Sequence, residues 1–143
     1  MTRHLRLTPG LMLAAVLATA GCNNTPTSAT PSAEVTPITT PVNVSFPGVV
    51  GPGGSVSRSF AAQIPGNAVA VLSNISPATP LTIGMGVPRA DGTGCLLSVS
   101  ATSAGGASAQ VNASVNAGTF CVQVFAPAQS ANAVSFAVAL THP

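Results

Sequence analysis

The sequence contains no lysine, tryptophan or tyrosine, and only 4% of its 143 residues are charged. Two of the four arginines lie among the first six residues, and the other two, Arg58 and Arg89, are balanced by Glu34 and Asp91. A basic surface for nucleic acid requires a cluster of cations, which two arginines cannot form. The composition therefore predicts that nucleic acid is not a partner.

Groups for acid–base catalysis are equally scarce. Hydrolytic sites usually combine a nucleophile, a base and an orienting acid. After residue 21 the only histidine is His142, so such a site would need a serine with His142 and Asp91. The alternative is that His142 is a surface residue on a terminal tail, which requires no serine or aspartate beside it. We predict that the protein is not an enzyme and that no residue is catalytic.

Metal and sugar ligands are also few. The loop at residues 89–94 (RADGTG) offers one carboxylate, Asp91, whereas calcium sites usually cluster several. A weak site built from backbone carbonyls is one interpretation of this loop, and an ordinary turn is the default. Without tryptophan or tyrosine, the chain lacks the rings on which carbohydrate-binding sandwiches commonly stack sugars. We expect neither a metal nor a cofactor.

The first 21 residues have the zones of a secretion signal. A basic head (MTRHLR) precedes an uncharged apolar run at residues 11–20 (LMLAAVLATA), and small residues follow up to Cys22. The run is too short for a helix that crosses a bilayer, which takes about 20 apolar residues. We expect residues 1–21 to be removed after export.

The residues at the expected cleavage site, Thr19-Ala20-Gly21-Cys22, resemble a lipobox, the signal of bacterial lipoproteins. The resemblance implies cleavage before Cys22, a diacylglyceryl thioether on its thiol, and acylation of the new amine. Stable anchoring takes more than one acyl chain, each buried methylene contributing about 0.8 kcal/mol. An ordinary secretion signal with an unrelated cysteine is the alternative.

A lipid on Cys22 implies a protein exported to the bacterial cell envelope, with the membrane as a partner through the N-terminal lipid. Asn23 follows the cysteine, and no aspartate stands there. By analogy with the lipoprotein family, this favours the outer membrane in an organism with two membranes.

Residues 23–41 (NNTPTSATPSAEVTPITTP) are rich in Thr, Ser, Ala and Pro and lack apolar periodicity. Such a segment cannot bury enough surface to offset its ordering entropy. We interpret residues 22–41 as the lipidated cysteine and a flexible tether that holds a folded domain away from the bilayer. A disordered tail without a role is the alternative.

From residue 42 onward, short Val- and Ala-rich segments alternate with Gly, Pro and Asn turns, one of them at Pro47-Gly48. Alternation of apolar and polar residues predicts an all-β domain at residues 42–143, a single antiparallel sandwich of about eight strands with a jelly-roll-like arrangement. The segments that we expect to form strands are residues 42–46, 55–63, 68–75, 81–87, 96–101, 108–115, 119–126 and 133–141.

The same alternation predicts which side chains enter the core. The expected inward-facing residues are Val69, Val71 and Ile75, then Leu81, Ile83, Met85 and Val87, then Val111, Ala113 and Val115, then Phe120, Val122 and Val124, and finally Val134, Phe136, Val138 and Leu140.

Two further cysteines, Cys95 and Cys121, lie within the expected domain. Export places them in an oxidising compartment, which favours a disulfide. Closing this loop stabilises the fold by roughly 3 kcal/mol in the chain-entropy model. We expect the bond to tie the 89–94 loop to the outer side of the 119–126 strand. A metal or reactive-thiol pair is the alternative, but no second cysteine pair accompanies it.

Four stretches resemble the bacterial pre-peptidase C-terminal domain superfamily: residues 48–60 (GVVGPGGSVSRSF), 68–77, 117–126 (AGTFCVQVFA) and 134–143. The third is similar to a late Gly-Tyr-x-Val-x-Val strand of that family, with Phe120 in place of tyrosine. The resemblance spans residues 44–143 and implies a small β-sandwich or jelly-roll module. Such modules are typically non-catalytic and aid secretion, attachment or substrate contact.

These observations favour a non-enzymatic, lipid-anchored β-sandwich of the cell envelope that acts as a structural or interaction module, with an unidentified envelope protein as a possible partner. The alternative is a binding module for a small ligand, a glycan or an envelope protein. An enzyme that uses serine and His142 is the third hypothesis.

Overall fold

The computed structural model describes residues 40–143, and these form eight antiparallel strands and no helix. The predicted all-β sandwich is confirmed. The expected signal and most of the expected tether lie outside the described residues. The strands are β1 (Val42–Val50), β2 (Ser55–Ala62), β3 (Gly66–Ser76), β4 (Thr82–Pro88), β5 (Cys95–Thr102), β6 (Ala109–Val115), β7 (Gly118–Phe125) and β8 (Val134–His142).

The strands form two four-stranded sheets of order β1-β8-β3-β6 and β2-β7-β4-β5. The first strand pairs with the last, the second with the seventh, the third with the sixth and the fourth with the fifth. This nested pairing, distributed over two sheets, is the arrangement of a jelly roll. Strand β1 lies beside β2 at one side of the sandwich, and β5 lies beside β6 at the other.

Strands β7 and β8 bury the faces that their sequences predict. In β8 alternate residues from Val134 to Leu140 are buried, and in β7 Val122 and Val124 are buried with Phe120 packed partly against them. Each fully buried valine or leucine contributes roughly 1.5–3 kcal/mol relative to an exposed one. The inward rows of these two central strands therefore form the middle of the core.

Strand β3 buries the opposite face from the one predicted. Ala70 and Leu72 are fully buried, whereas Val69 and Val71 are half-buried on the outer face. The strand is central in its sheet, and its register places Ala70 opposite the inward-facing Leu140. Since directly paired residues share a face, the neighbouring strands determine which side of β3 enters the core.

A bulge then changes the phase of β3. The register shifts between Ser73 and Ser76, and Asn74 adopts a left-handed backbone with φ of 53°. Asparagine tolerates this conformation better than most residues. The shift turns Ile75 into the core, so this residue is buried as predicted although Val69 and Val71 are not.

Strand β1 continues through Pro47-Gly48, where the sequence predicts a turn. The proline is tolerated because β1 is an edge strand, on which one row of backbone groups has no partner strand. Gly48 lies opposite Phe136 of β8, and a Cβ atom at this position would overlap the aromatic ring. The glycine therefore allows Phe136 to fill the core beneath the edge strand.

Strand β4 departs from the prediction at one residue. Met85 pairs with Val99 of β5, but a shift in register pairs Gly86 with Leu97, and Val87 is exposed. The bulge ends the alternation of buried and exposed residues near the end of β4. The other inward-facing residues predicted for this segment are fully buried: Leu81, Ile83 and Met85.

We expect Gly48→Ala to lower the free energy of unfolding by about 1–3 kcal/mol, because the added methyl group forces Phe136 out of its position. Urea denaturation measures the change. Gly51→Ala is the matched control, since a Cβ there meets no atom within 4 Å. Equal losses in the two variants would contradict the packing of Gly48 on Phe136.

Candidate functional site

The two cysteines of the domain, Cys95 and Cys121, form a disulfide with a Cα–Cα distance of 6.0 Å. The predicted bond is confirmed. Cys121 lies on the outer face of β7 and Cys95 begins β5, and strand β4 separates these strands in the sheet. The bond therefore joins two strands that are not hydrogen-bonded neighbours and holds the β4–β5 loop against β7, as expected.

Gln123 lies on the same outer face and is only 5% exposed. Its Oε1 accepts a hydrogen bond from the backbone N–H of Cys95 at 2.8 Å, and its Nε2 donates to Ser55 Oγ at 2.8 Å. Gly94 has a φ of 115°, and a Cβ there would lie 2.8 Å from Nε2. One buried amide thus connects β2, β7 and the start of β5, and the sequence pattern did not single it out.

A cleft of about 380 Å³, which we call the outer cleft, opens beside this amide. Arg89 and Thr93 of the loop line it, together with Leu97, Gln123 and Phe125. Since both polar atoms of Gln123 already have protein partners, the amide organises the wall of the cleft and offers little to a ligand.

Asp91, in the same loop, forms an ordinary turn. Its Oδ1 accepts hydrogen bonds from the backbone N–H of Thr93 at 2.9 Å and from the Thr93 hydroxyl at 2.7 Å. The backbone bond, then the hydroxyl bond, lower the pKa of this exposed carboxyl below its usual 3.8. Within residues 40–143 no three His, Cys, Asp or Glu side chains come together at one place.

A second concave region, which we call the edge groove, lies between β1 and β2. Its volume is about 300 Å³. Most of its wall is apolar, and Arg58 and His142 are the titratable side chains on it. The lining residues are Val44, Phe46, Arg58, Ser59, Phe60, Ala61, Leu140 and His142.

Arg58 points toward the space between the two sheets. It lies directly opposite Val122 of β7, which is an inward-facing core residue, so the register of β2 directs both side chains to the same side. The guanidinium carbon lies 5.6 Å from the centroid of the Phe46 ring. This cation–π contact, worth about 0.5–1 kcal/mol at an exposed site, connects the two edge strands across the groove.

An inward-pointing charge on an edge strand also disfavours pairing with another molecule. Asp91 is the only side-chain carboxylate among residues 40–143, and Arg89 is the cation that acts on it. The charge of Arg58 is therefore not balanced by a side chain of the described domain.

His142 is 6% exposed, which corrects the interpretation of a surface histidine on a terminal tail. Its ring centroid lies 4.9 Å from that of Phe60, and its Nδ1 lies 3.2 Å from the main-chain oxygen of Pro143. That oxygen only accepts, so a hydrogen bond here makes Nδ1 the donor and leaves Nε2 as the acceptor of the neutral tautomer. No partner for Nε2 is found among the described residues.

The hypothetical serine site is not assembled in the described domain. Asp91 is hydrogen-bonded to Thr93 in the β4–β5 loop, whereas His142 packs on Phe60 at the end of β8, in the other sheet. The burial of His142 was foreseeable, because it continues the alternating inward row of β8 that begins at Val134.

Cys22 lies outside the described residues, so its lipidation stays a prediction. In the part of the chain that the structure describes, no helix has the length and apolar character needed to cross a membrane. Neither protein-family models nor curated proteins match this sequence.

Replacing Gln123 by alanine should lower the free energy of unfolding by about 1–3 kcal/mol, since the buried N–H of Cys95 loses its acceptor. Thermal and urea unfolding of the oxidised protein measure the loss. Gln110 is an exposed glutamine on β6, and Gln110→Ala should change stability by less than about 0.5 kcal/mol. A similar effect in both variants would count against the role of the buried amide.

The disulfide should also be detectable chemically and should contribute to stability. Denatured but unreduced protein should show no free thiol from Cys95 or Cys121 in a thiol-labelling assay. The double variant Cys95→Ala/Cys121→Ala should lose roughly 3 kcal/mol of unfolding free energy. Two labelled thiols from these positions in the purified, unreduced protein would be inconsistent with the bond.

Proposed function

We propose that this chain is an exported bacterial lipoprotein whose jelly-roll domain acts as a non-enzymatic interaction module at the cell envelope. The observation that carries the proposal is the position of Cys22, directly after a basic head, an apolar run and small residues. Lipid on this cysteine places the protein at a membrane surface, and the outer membrane is our choice in an organism with two membranes.

The composition of the domain supports an anchored protein. Its charged side chains among residues 40–143 are Arg58, Arg89 and Asp91, so its surface is covered mainly by hydroxyl, amide and small apolar groups. A free protein with so little charge is prone to self-association at high concentration. Attachment to a membrane through residues 22–41 reduces the need for charge-based solubility.

An exposed apolar pair supports contact with a protein partner. Val87 and Leu96 lie opposite each other on β4 and β5, and Leu96 is 58% exposed. An apolar pocket of about 210 Å³ adjoins them, with Met85 and Phe120 in its wall. The paired aliphatic side chains and the adjoining apolar pocket give a partner protein a surface on which to bury an apolar side chain.

Binding of a small ligand is the second candidate, and the edge groove favours it. The groove combines apolar walls with a cation and one histidine nitrogen, a combination typical of small-molecule sites. Asp91 and His142 have separate partners in the described domain, so the proposal gives neither a catalytic role.

Mass spectrometry of the protein purified from bacterial membranes tests the anchor. We expect the N-terminal peptide to begin at Cys22 and to carry a diacylglyceryl group with a further acyl chain on the amine. The Cys22→Ala variant should leave the membrane fraction, because the thioether cannot form.

The matched control is Cys95→Ala/Cys121→Ala, which removes the other cysteines and keeps Cys22. This variant should still fractionate with the membrane. An unmodified N-terminus in the wild-type protein, or release of the wild type into the medium, would refute the lipid anchor.

A further inference from the structure

We infer that the edge groove binds a small organic anion with a flat apolar body, of the class of aromatic carboxylates. Its anionic group meets Arg58, its ring packs between Phe46 and Phe60, and a polar hydrogen on the ligand, where one is present, donates to Nε2 of His142. The inference specifies the ligand class for the second candidate function. It does not depend on lipid at Cys22.

The walls of the groove determine the shape of the ligand. Phe46 comes from β1 and Phe60 from β2, so the two rings belong to different sheets and lie on the wall of the same cavity. Val44 and Leu140 add aliphatic surface. Aromatic rings prefer offset or edge-to-face neighbours, and such a pair contributes about 0.5–1.5 kcal/mol beyond its area. A flat ring therefore suits this cavity.

The size of the groove limits the ligand. A volume of about 300 Å³ is at the lower end for small-molecule sites, which span roughly 300–1,000 Å³. A single ring with one or two substituents fits such a space, whereas an oligosaccharide does not. The absence of tryptophan and tyrosine also leaves no extended stacking platform for a sugar chain.

Arg58 determines the charge of the ligand. Its guanidinium lies over Phe46 on the wall of the groove, and no side-chain carboxylate of the described domain neutralises it. A guanidinium presents paired N–H donors that match a carboxylate, and such charge-assisted bonds are the strong ones. An anionic ligand is therefore favoured over a neutral one.

His142 supplies the second polar contact. The residue is more than nine-tenths buried and lies on the wall of the groove, with Nδ1 within hydrogen-bond distance of the Pro143 main-chain oxygen. Nε2 is not among the enclosed polar atoms of the described domain that lack a partner, so it stays open to water or to a ligand donor on the groove side. The phenyl ring of Phe60 at 4.9 Å holds the imidazole in this orientation.

Fluorine NMR with para-fluorobenzoate tests the inference on the purified mature protein, held in lipid nanodiscs when its N-terminus is lipidated and free in solution when it is not, with empty nanodiscs or buffer as the blank. We expect saturable binding with a dissociation constant of about millimolar, as the small number of ligand atoms allows. Arg58→Gln should weaken binding about tenfold or more, because the charge-assisted bond is lost. Arg58 is exposed, so this variant retains the core.

The matched control is Arg89→Gln, which removes the other arginine of the domain and the one that lines the outer cleft. It should change the dissociation constant by less than about twofold. The neutral probe para-fluorobenzamide has nearly the same shape and should bind at least about tenfold more weakly than the carboxylate.

Proton NMR locates the site. His142 is the only histidine after residue 21, so its ring protons give signals without overlap from another histidine. These signals should shift as the carboxylate saturates the wild-type protein. Absence of saturable binding, equal affinity for the amide, equal loss in the two arginine variants, or unmoved His142 signals would each overturn the inference. None of these results depends on whether the N-terminal peptide carries lipid, so failure of this inference and failure of the lipid anchor are told apart.

Discussion

The insertion of β8 between β1 and β3 is the interaction on which the rest of the structure depends. This last strand pairs with the first strand on one side and with β3 on the other, so the two ends of the described domain pair with each other at one edge of their sheet. Its inward row from Val134 to Leu140 fills the core. Because these pairings join residues far apart along the chain, the fold forms only when nearly the whole domain is in place.

The two sides of the sandwich differ in how their outermost strands are held. At one side β1 and β2 leave a groove, across which the guanidinium of Arg58 lies over the ring of Phe46. On the outer face of the second sheet, the disulfide and the Gln123 amide fasten the start of β5 to β7. A small core with few charged groups has little surface electrostatic stabilisation, so a covalent bond and a satisfied buried amide contribute a large share of its stability.

Because the domain has so few charged side chains, the partner and position of each one can be described individually. Asp91 accepts hydrogen bonds from Thr93 in its own turn, and Arg89 lies in the same loop. Arg58 instead faces inward at an edge, where a charge is normally unfavourable unless it protects the edge or meets a ligand. Both roles are compatible, since a guanidinium that blocks strand pairing is also available to an anion that enters the groove.

The sequence by itself determined the all-β class, most of the strand segments, the inward faces of β7 and β8, and the cysteine pair, because alternation, turn residues and the number of cysteines are local or compositional signals. Only the tertiary structure decided the inward face of β3, the exposure of Val87 and the continuation of β1 through Pro47. The first depends on register with two neighbouring strands, the second on a bulge, and the third on an edge position. The edge groove was likewise beyond the sequence, since Phe46, Arg58 and His142 come from three strands that meet only after both sheets have paired and packed.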